Sequence, residues 1–286
     1  METILQLENL TKQYKNFTLD ALTLAIPCGS IVGLVGENGA GKTTTIKLIL
    51  NHIHRDGGKI NVFGLDNLTH EAEIKDRIGV VLGESNFHEH FTAKNVNSIL
   101  KNIYSRWDSD SFFSYLTRFE VPKDKKLKDM SKGMKVKLSI ASALSHAPEL
   151  LILDEATSGL DPVVRSEILD IFLEFIQDEH KSILFSSHIT GDLEKIADYI
   201  AFLHKGRLVF SKSKDDILYG YGIAKCGEAE FNSLDKADVL AYRKGKFGYE
   251  ALLSDASLAR AKYTGLCIDR PTIEEIMTLY VRGTRQ

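Results

Sequence analysis

The chain has 286 residues, enough for one large domain or for a medium domain with a small appendage. Its hydrophobic fraction of 43% is ordinary for a globular protein and sufficient for a sizeable core. The formal net charge of −3 gives no indication of a general nucleic-acid binder. The three widely spaced cysteines match neither a metal-ligand spacing nor a disulfide framework, which points to a reducing compartment.

The sequence predicts neither a secretory signal nor a membrane span. Alternating apolar and polar residues follow Met1, where a signal peptide would have a basic start and an apolar block. No apolar run approaches the roughly 18–20 residues that a membrane helix needs. A role at a membrane would therefore require a partner chain that crosses the bilayer.

The first part of the chain predicts strands followed by a helix. Residues 5–10 and 17–26 alternate apolar and polar side chains, as antiparallel strands do. Ile31–Val35 is a short apolar run followed directly by glycine, which indicates a buried strand, and residues 41–50 then have a helical pattern. Asp56 and two glycines predict a turn before a further short strand.

The middle of the chain predicts a helical insertion between strands. From about residue 84 to residue 145, apolar residues recur at spacings of three and four, as at Val96, Ile99 and Leu100. Strands return at residues 150–153 and Ser182–Ser186, with an amphipathic helix over residues 163–178 between them.

The last part of the chain has a weaker pattern. Residues 199–212 predict a hairpin, and residues 223–268 predict short strands with one helix near residues 257–263. Residues 272–281 predict a terminal helix, in which Thr272 and Glu275 have the spacing of a capping box.

A glycine-rich run after the buried strand fits the pattern G-x-x-x-x-G-K-[ST]. Its glycines allow a tight turn that brings backbone N–H groups to phosphate oxygens, and the following helix directs its positive end at the same anion. Lys42 is expected to contact the β and γ phosphates, and the Thr43 hydroxyl to bind Mg²⁺. A turn that binds nothing is disfavoured, because four fixed positions stand between a strand and a helix. The predicted nucleotide-binding residues here are Gly36, Asn38, Gly39, Ala40, Gly41, Lys42, Thr43 and Thr44.

A second run places two acids at the end of an apolar strand. Residues 150–153 are aliphatic, and Asp154 and Glu155 follow. Such a strand delivers carboxylates rigidly beside the phosphate loop, so Asp154 is expected to hold Mg²⁺ and Glu155 to polarise the attacking water. A solvated acidic turn is the alternative interpretation of this run by itself.

These motifs, the run Leu153 to Pro162 and the Ser187-His188 pair, together resemble the nucleotide-binding domains of ABC transporters. Their order and spacing match over roughly residues 3–220. The resemblance implies an ATP- and Mg²⁺-dependent ATPase with a P-loop NTPase (ABC ATPase) α/β core, an antiparallel β subdomain and an inserted helical subdomain. The predicted domain bounds are 1–220 for the nucleotide-binding domain and about 84–145 for its helical subdomain. Beyond the part that carries the resemblance, the pattern predicts a small C-terminal α+β accessory domain over residues 221–286.

The resemblance implies that residues 130–134 are the signature segment, which closes over ATP held by a second subunit. Ser131 and Gly133 match the family pattern, whereas Lys132 replaces a glycine and Met134 a glutamine. Ser131 and backbone N–H groups would contact the γ-phosphate, and Lys132 would add charge. Without the family, Ser131 is simply the N-cap of the following helix, and both roles are compatible.

Three further residues take roles from the resemblance. Asp161 lies in the loop that crosses the dimer interface, although it also suits a helix cap before Pro162. His188 corresponds to the switch histidine at the γ-phosphate. Tyr14 corresponds to the aromatic residue that stacks on adenine, with an ordinary exposed turn tyrosine as the alternative.

One departure concerns the end of the strand over residues 78–82. The family usually has a glutamine there that contacts Mg²⁺ and the attacking water, whereas this chain has Gly83 followed by Glu84. We hypothesise that Glu84 is a metal ligand in its place. An unchanged ATPase rate and Mg²⁺ dependence in a Glu84→Ala variant would exclude this role.

The function implied is ATP hydrolysis at a head-to-tail dimer interface that powers transport by a separate membrane-spanning permease. Export is favoured, because residues 269–283 resemble the end of ATPase subunits from multidrug and antimicrobial-peptide exporters. The dimer would be a homodimer or a heterodimer, located in the cytoplasm on the inner face of the membrane, with no nucleic-acid partner. The open alternatives are a non-transport ABC ATPase and a nucleotide-responsive regulator that senses through residues 221–286.

Overall fold

The computed structural model describes residues 2–83, 87–246 and 248–285, and their strands form three sheets. Elements are numbered along the chain. The first sheet is antiparallel, in the order β2-β1-β4-β5. Its strands are β1 (Thr3–Tyr14), β2 (Phe17–Pro27), β4 (Gly57–Val62) and β5 (Leu65–Asp66).

The second, central sheet has the order β10-β9-β3-β8-β7-β6, and it is parallel except for β10. Because the strands are parallel, the carboxyl ends of β3, β7 and β8 meet at one edge. Its strands are β3 (Ile31–Val35), β6 (Ile78–Leu82), β7 (Leu150–Asp154), β8 (Ser182–Ser186), β9 (Tyr199–His204) and β10 (Arg207–Ser213).

The third sheet is antiparallel, in the order β14-β11-β13-β12-β15, and uses only residues after 221. Its strands are β11 (Gly222–Cys226), β12 (Val239–Lys244), β13 (Tyr249–Leu253), β14 (Ile268–Asp269) and β15 (Thr284–Arg285).

The helices cover the faces of the sheets, and α3, α4 and α5 lie in the predicted helical insertion. The helices are α1 (Lys42–Ile49), α2 (Glu71–Asp76), α3 (Ala93–Leu100), α4 (Ser109–Arg118), α5 (Lys132–Leu144), α6 (Pro162–Phe175), α7 (Thr190–Ile196), α8 (Lys214–Gly220), α9 (Glu228–Asn232), α10 (Ala256–Lys262) and α11 (Ile273–Arg282).

The central sheet separates two hydrophobic cores. Along β7, Leu151 and Leu153 pack into the core shared with the helical insertion, whereas Leu150 and Ile152 pack into the core shared with the first sheet. Successive side chains of a strand point to opposite faces, so a strand covered on both sides must be apolar throughout. This explains the continuous aliphatic runs of β3 and β7, which are fully buried.

The terminal helix α11 packs on the central part of the molecule. Ile273, Ile276 and Leu279 belong to the same buried cluster as the helical insertion. The backbone N–H of Ile273 donates a hydrogen bond of 2.7 Å to Glu194 Oε1 on α7. The third sheet therefore joins the rest of the chain through a packed helix as well as through the backbone.

The structure confirms the predicted α/β fold, the hairpin of β9 and β10, and the Thr272–Glu275 capping box. The predicted helix over residues 163–178 is α6, which ends earlier, at Phe175. The sequence prediction of one helix within residues 223–268 was incomplete, because α9 precedes α10, and α8 was not predicted. Ser213 caps α8 by accepting from the Asp216 N–H, and that serine was the signal available.

Candidate active site

The glycine-rich run forms the connection between β3 and α1. Gly39 and Gly41 have φ values of +81° and +115°, which favour glycine. A Cβ on Gly41 would lie 3.1 Å from side-chain carbons of Leu19 and Phe17. The loop therefore turns sharply, and the N-terminus of α1 faces the concave side of the turn, where an anion would be stabilised.

Lys42 is nearly buried at the base of this loop, with 6% of its surface exposed. Its Nζ donates 2.7 Å to the carbonyl of Gly36 and lies 3.7 Å from Glu155 Oε1. Burial lowers the pKa of Lys42, while the carboxylates of Glu155 and Asp154 oppose that shift. A desolvated ammonium group favours a neighbouring anion, so its environment suits phosphate oxygens.

Asp154 is buried at the carboxyl end of β7 and joins two neighbouring elements. Its Oδ2 accepts 2.9 Å from the Thr43 hydroxyl at the start of α1. Its Oδ1 accepts 2.8 Å from the Ser186 hydroxyl at the end of β8. The carboxylate is therefore fixed between the phosphate loop and the next strand. Ser186 was not predicted, because its role depends on strand neighbours that are far apart in the sequence.

Glu155 follows directly, with a φ of +54° in the left-handed region. That conformation is unusual for glutamate and is held by the hydrogen bond of 2.9 Å from its N–H to the Ser186 carbonyl. Its Oε2 contacts Nδ1 of His188 and its Oε1 faces Lys42. The two predicted catalytic side chains thus share one cleft with the predicted phosphate-binding lysine.

The cleft has a volume of about 730 Å³. Tyr14, which is 46% exposed, lies on its wall next to Phe17, with 6.4 Å between ring centroids. The lining includes four residues that sequence reasoning missed: Asn16, Phe17, Glu37 and Ser158. Asn16 and Phe17 lie at the turn between β1 and β2, and their proximity to Tyr14 was the available signal.

The signature segment lies elsewhere on the surface, and none of Ser131, Lys132 or Gly133 is among the described residues that line the cleft. Ser131 caps α5 by accepting 3.2 Å from the Met134 N–H. A Cβ on Gly159 would lie 2.6 Å from Lys132 Nζ, so this side chain lies over the loop before Asp161. Asp161 caps α6, accepting from two N–H groups of its first turn.

The remaining predicted metal ligand, Glu84, lies outside the described residues. Gly83 is described, and a Cβ on it would lie 3.3 Å from the Asp154 carbonyl. Within residues 2–83, 87–246 and 248–285, no three His, Cys, Asp or Glu side chains cluster as a metal site. Over the same ranges, no helix is long and apolar enough to span a membrane.

A parallel sheet with a glycine-rich anion loop and a paired acid run at its carboxyl edge defines a P-loop nucleoside triphosphatase. Comparison with known proteins makes this more specific. The family model of the ABC transporter matches residues 19–158. The bacitracin transport ATP-binding protein BcrA of Enterococcus faecalis is 35% identical over 73% of this chain and 69% of its own length. The lantibiotic transport ATP-binding protein SrtF of Streptococcus pyogenes is 32% identical over 74% of this chain and 92% of its own.

A solved ATP-binding subunit of an ABC transporter superposes with a TM-score of 0.69 at 27% identity, covering 75% of this chain and 92% of that structure. The chain therefore belongs to the ABC transporter family, as an ATP-binding and ATP-hydrolysing subunit that powers transport. It acts within a transporter complex that contains membrane subunits.

Proposed function

We propose that this subunit hydrolyses ATP at a head-to-tail interface between two nucleotide-binding subunits and so powers export through a separate membrane-spanning chain. One observation carries the proposal. The cleft gathers Lys42, Thr43, Glu155 and His188, whereas Ser131 and its neighbours lie outside it. The cleft thus contains the phosphate-loop and catalytic residues but not the signature segment. A site completed by a second copy requires this arrangement.

In this proposal the loop from Gly36 to Thr44 holds the phosphates. Backbone N–H groups of Asn38, Gly39, Gly41 and Thr44 donate to phosphate oxygens, and the Lys42 ammonium group pairs with their charge. Ala40 contributes by closing the turn, because its N–H donates to the Glu37 carbonyl. Tyr14 stacks on the adenine ring at the outer wall. Its exposure and its position beside Phe17 support this role.

The donor set fits Mg²⁺. The hydroxyl of Thr43 and the carboxylate of Asp154 are hard oxygen ligands 2.9 Å apart. Adjacent oxygens of an octahedron at about 2.0–2.1 Å from the metal have about this separation, and phosphate oxygens and water would complete the shell. When bound, Mg²⁺ would neutralise charge on the β and γ phosphates. In this proposal Glu84 is a further Mg²⁺ ligand, and the Glu84→Ala variant described above tests it.

Glu155 orients and deprotonates the attacking water, and His188 contacts the γ-phosphate. The backbone of Glu155 is in the left-handed region, and its carboxylate lies between Lys42 and His188. Together these constraints fix the direction of the carboxylate oxygens. The water oxygen bonds to the γ-phosphorus as the bond to the β–γ bridging oxygen breaks. The water proton passes to Glu155, and ADP and phosphate are the products.

The second copy supplies the signature segment. The Ser131 hydroxyl accepts the Met134 N–H, which leaves its own proton free to donate to a γ-phosphate oxygen. The backbone of Gly133 and the ammonium group of Lys132 face the same anion, and Asp161 shapes the adjoining loop. ATP thus joins two subunits, and loss of the γ-phosphate releases them. Either a homodimer or a heterodimer satisfies this arrangement.

The wider context of the proposal has three parts. Residues 1–220 are the nucleotide-binding domain, with residues 84–145 as its helical subdomain, and residues 221–286 are a small accessory domain. The subunit sits in the cytoplasm on the inner face of the membrane. Export, as of a peptide antibiotic, is supported by the bacitracin and lantibiotic transport proteins that the chain resembles.

The hydrolysis-deficient variant Glu155→Gln tests the interface. With ATP and Mg²⁺ it should form a stable dimer, because ATP is bound but its γ-phosphate is not removed. Size-exclusion chromatography with light scattering measures the mass, and ADP in place of ATP is the control. The purified transporter complex repeats the test by crosslinking. A monomer in the first setting and no ATP-dependent crosslink in the second would refute the interface.

A mixing experiment tests the head-to-tail arrangement directly. Lys42→Ala removes the phosphate lysine, and Ser131→Arg blocks the signature segment, so each variant alone should be inactive. A mixture should recover ATPase activity, because one of the two sites in a mixed dimer combines both intact halves. A double variant carrying both changes is the matched control. No recovery, with mixed dimers demonstrated by differently tagged chains, contradicts the model.

A further inference from the structure

The terminal helix α11 contacts the central sheet directly behind the phosphate loop. Strand β9 lies parallel to β3 with Phe202 opposite Val35. His204, the last residue of β9, and Glu37, two residues beyond the end of β3, each follow this pair by two residues. The side chain that links the helix to the loop is therefore at a position fixed by strand pairing.

The His204 ring is buried, with 9% of its side chain exposed. Its Nδ1 lies 3.0 Å from Glu37 Oε1. The approach is off the line of a good hydrogen bond, so Nδ1 has no well-aligned partner among the described residues. Buried polar atoms normally have a hydrogen-bond partner, and the acid that faces this nitrogen is Glu37. The position of this carboxylate therefore depends on where the imidazole ring is held.

Glu37 also shapes the phosphate loop through its backbone. Its carbonyl accepts 3.1 Å from the Ala40 N–H and 3.4 Å from Lys42 Nζ. A rotation of Glu37 would move the turn that presents the donors of the loop. The contact of its side chain with His204 would therefore favour one conformation of the turn.

Tyr280 of α11 packs edge-on against the ring of His204. The ring centroids are 6.1 Å apart at an interplanar angle of 84°, and Phe202 meets Tyr280 at 5.5 Å and 77°. The guanidinium carbon of Arg285 lies 3.9 Å from the Tyr280 ring centroid. The backbone carbonyl of Tyr280 accepts hydrogen bonds of 3.3 and 3.2 Å from Arg285, so these bonds do not involve the Tyr280 side chain. The contact is therefore made by the aromatic ring.

The other end of α11 is attached to the opposite side of the site. Ile273 donates its N–H to Glu194 of α7, and α7 begins two residues after His188. The same helix thus touches the element that carries the predicted switch histidine and the strand that supports the phosphate loop.

We propose that Tyr280 is a positioning residue for ATP binding: through His204 it holds Glu37, and with it the turn of the phosphate loop, in the binding conformation. Residues 221–285 thereby tune the nucleotide site from behind, without contacting the nucleotide. This inference rests on the proposed assignment of Gly36 to Thr44 as the phosphate-binding loop.

The test compares Tyr280→Ala with Tyr280→Phe in the full chain. In the Glu155→Gln background, Tyr280→Ala should raise the dissociation constant for MgATP about fivefold. This change corresponds to about 1 kcal/mol of binding free energy. Tyr280→Phe should bind like the parent, because it keeps the ring. Tyr219→Ala is the matched control, since that tyrosine is 61% exposed on α8. With Glu155 intact, the KM of Tyr280→Ala should rise while kcat at saturating ATP stays within about twofold.

A double-mutant cycle decides whether the effect passes through the loop. Glu37→Ala should also weaken ATP binding, and adding Tyr280→Ala should cause no further loss, since both act through one contact. Additive losses, or a Tyr280→Phe variant as weak as Tyr280→Ala, would overturn the inference. So would normal affinity in Tyr280→Ala with only a lower melting temperature. Should Tyr280→Ala fail to fold, Tyr280→Leu keeps apolar volume without the ring and is expected to show the same weakening.

The Lys42→Ala variant separates this inference from the assignment on which it rests. If Lys42→Ala abolishes ATP binding and Tyr280→Ala leaves it unchanged, the inference alone fails. If Lys42→Ala binds ATP normally, the assignment of the phosphate loop fails.

Discussion

The two ends of the central sheet differ in how their charges are arranged. At the carboxyl end, Glu155 has a left-handed backbone and faces a desolvated Lys42. At the amino end, Arg77 binds Glu149 through two hydrogen bonds, of 3.0 and 2.6 Å. There also, Asp198 accepts 2.8 Å from the N–H of Ile31.

The difference indicates that the amino end of the central sheet contributes stability, whereas the carboxyl end carries strain. At the amino end, the charged side chains of Arg77, Glu149 and Asp198 have hydrogen-bond partners within the protein and need no ligand. The carboxyl end holds a residue in the left-handed region and a desolvated cation, an arrangement that phosphate and metal would stabilise further. Substitutions at the two ends should therefore separate activity from stability.

The largest expected effect comes from Asp154→Asn at the carboxyl end. ATPase activity should fall by about 100-fold or more, because the carboxylate that would hold Mg²⁺ is lost. The melting temperature should be unchanged or higher, since a buried charge is removed while the side-chain volume stays the same. Steady-state ATPase assays and thermal melts measure both quantities.

Asp170→Asn is the matched control for this prediction, because Asp170 is exposed on α6. It should leave both rate and melting temperature unchanged. A clear loss of stability in Asp154→Asn would show that the carboxyl end also contributes to stability through this residue.

The next largest effect is expected at Gly206, where one substitution at the carboxyl end should change stability as well as activity. Gly206 lies in the hairpin turn at the carboxyl end, with a φ of +78°. A Cβ there would lie 1.8 Å from the Thr18 carbonyl. The Gly206 N–H donates 3.0 Å to the Ala40 carbonyl of the phosphate loop, and its own carbonyl accepts 2.8 Å from the Asp20 N–H. Gly206→Ala should therefore lower both stability, by about 2–3 kcal/mol, and ATP affinity.

Gly220→Ala provides the contrast for that variant. No atom lies within 4 Å of a Cβ built on Gly220, which ends α8, so alanine should be neutral or slightly stabilising. Urea unfolding and ATP titration measure the pair. Equal free energies of unfolding for Gly206→Ala and Gly220→Ala would show that the turn at Gly206 accommodates a Cβ without destabilising the fold.

A smaller effect is expected for Lys132→Ala, which sharpens the view that the carboxyl end is completed by another copy. ATPase activity should fall about fivefold, corresponding to about 1 kcal/mol, with stability unchanged because the side chain is exposed. ATP affinity of the dilute monomer should not change. Lys135→Ala, one helical turn further on, is the control. Weaker ATP binding by the monomer would show that Lys132 acts within its own chain.

The smallest effect concerns pH and the amino end. The hydrogen bond from Arg77 lowers the pKa of Glu149 below its ordinary value. Because the folded-state pKa is lowered, the stabilisation is present above the ordinary value and is lost as pH falls through the folded pKa. The melting temperature of the parent should therefore fall more steeply below about pH 4.5 than that of Glu149→Gln. ATP affinity at neutral pH should be the same in both.

Glu73→Gln is the control for the pH prediction, because Glu73 is exposed and meets the same Arg77 only at 4.0 Å. It should follow the parent curve. If Glu149→Gln also follows the parent curve, this ion pair does not contribute to the acid dependence of stability.

Much of the fold was predictable because its signals are local. The aliphatic strands β3 and β7 and the glycine-rich loop are read from neighbouring residues. Helix α9 was missed because its five residues are too few to show a period. The contacts of Ser186 with Asp154 and of Tyr280 with His204 join distant segments, so only the folded chain reveals them. For the site residues, the sequence predicted candidates and the structure supplied their distances, while their roles stay proposals.

The pairing of β3 has a consequence for how the protein is made. Ile31 lies opposite Ile183, and Val35 opposite Phe202, so the strand before the phosphate loop finds its neighbours long after it is synthesised. On the ribosome, this aliphatic segment must wait for most of the chain to emerge, which exposes it to misfolding and calls for protection by chaperones. Tyr280 emerges later still. A nascent chain is therefore expected to acquire full affinity for ATP only after Tyr280 has emerged.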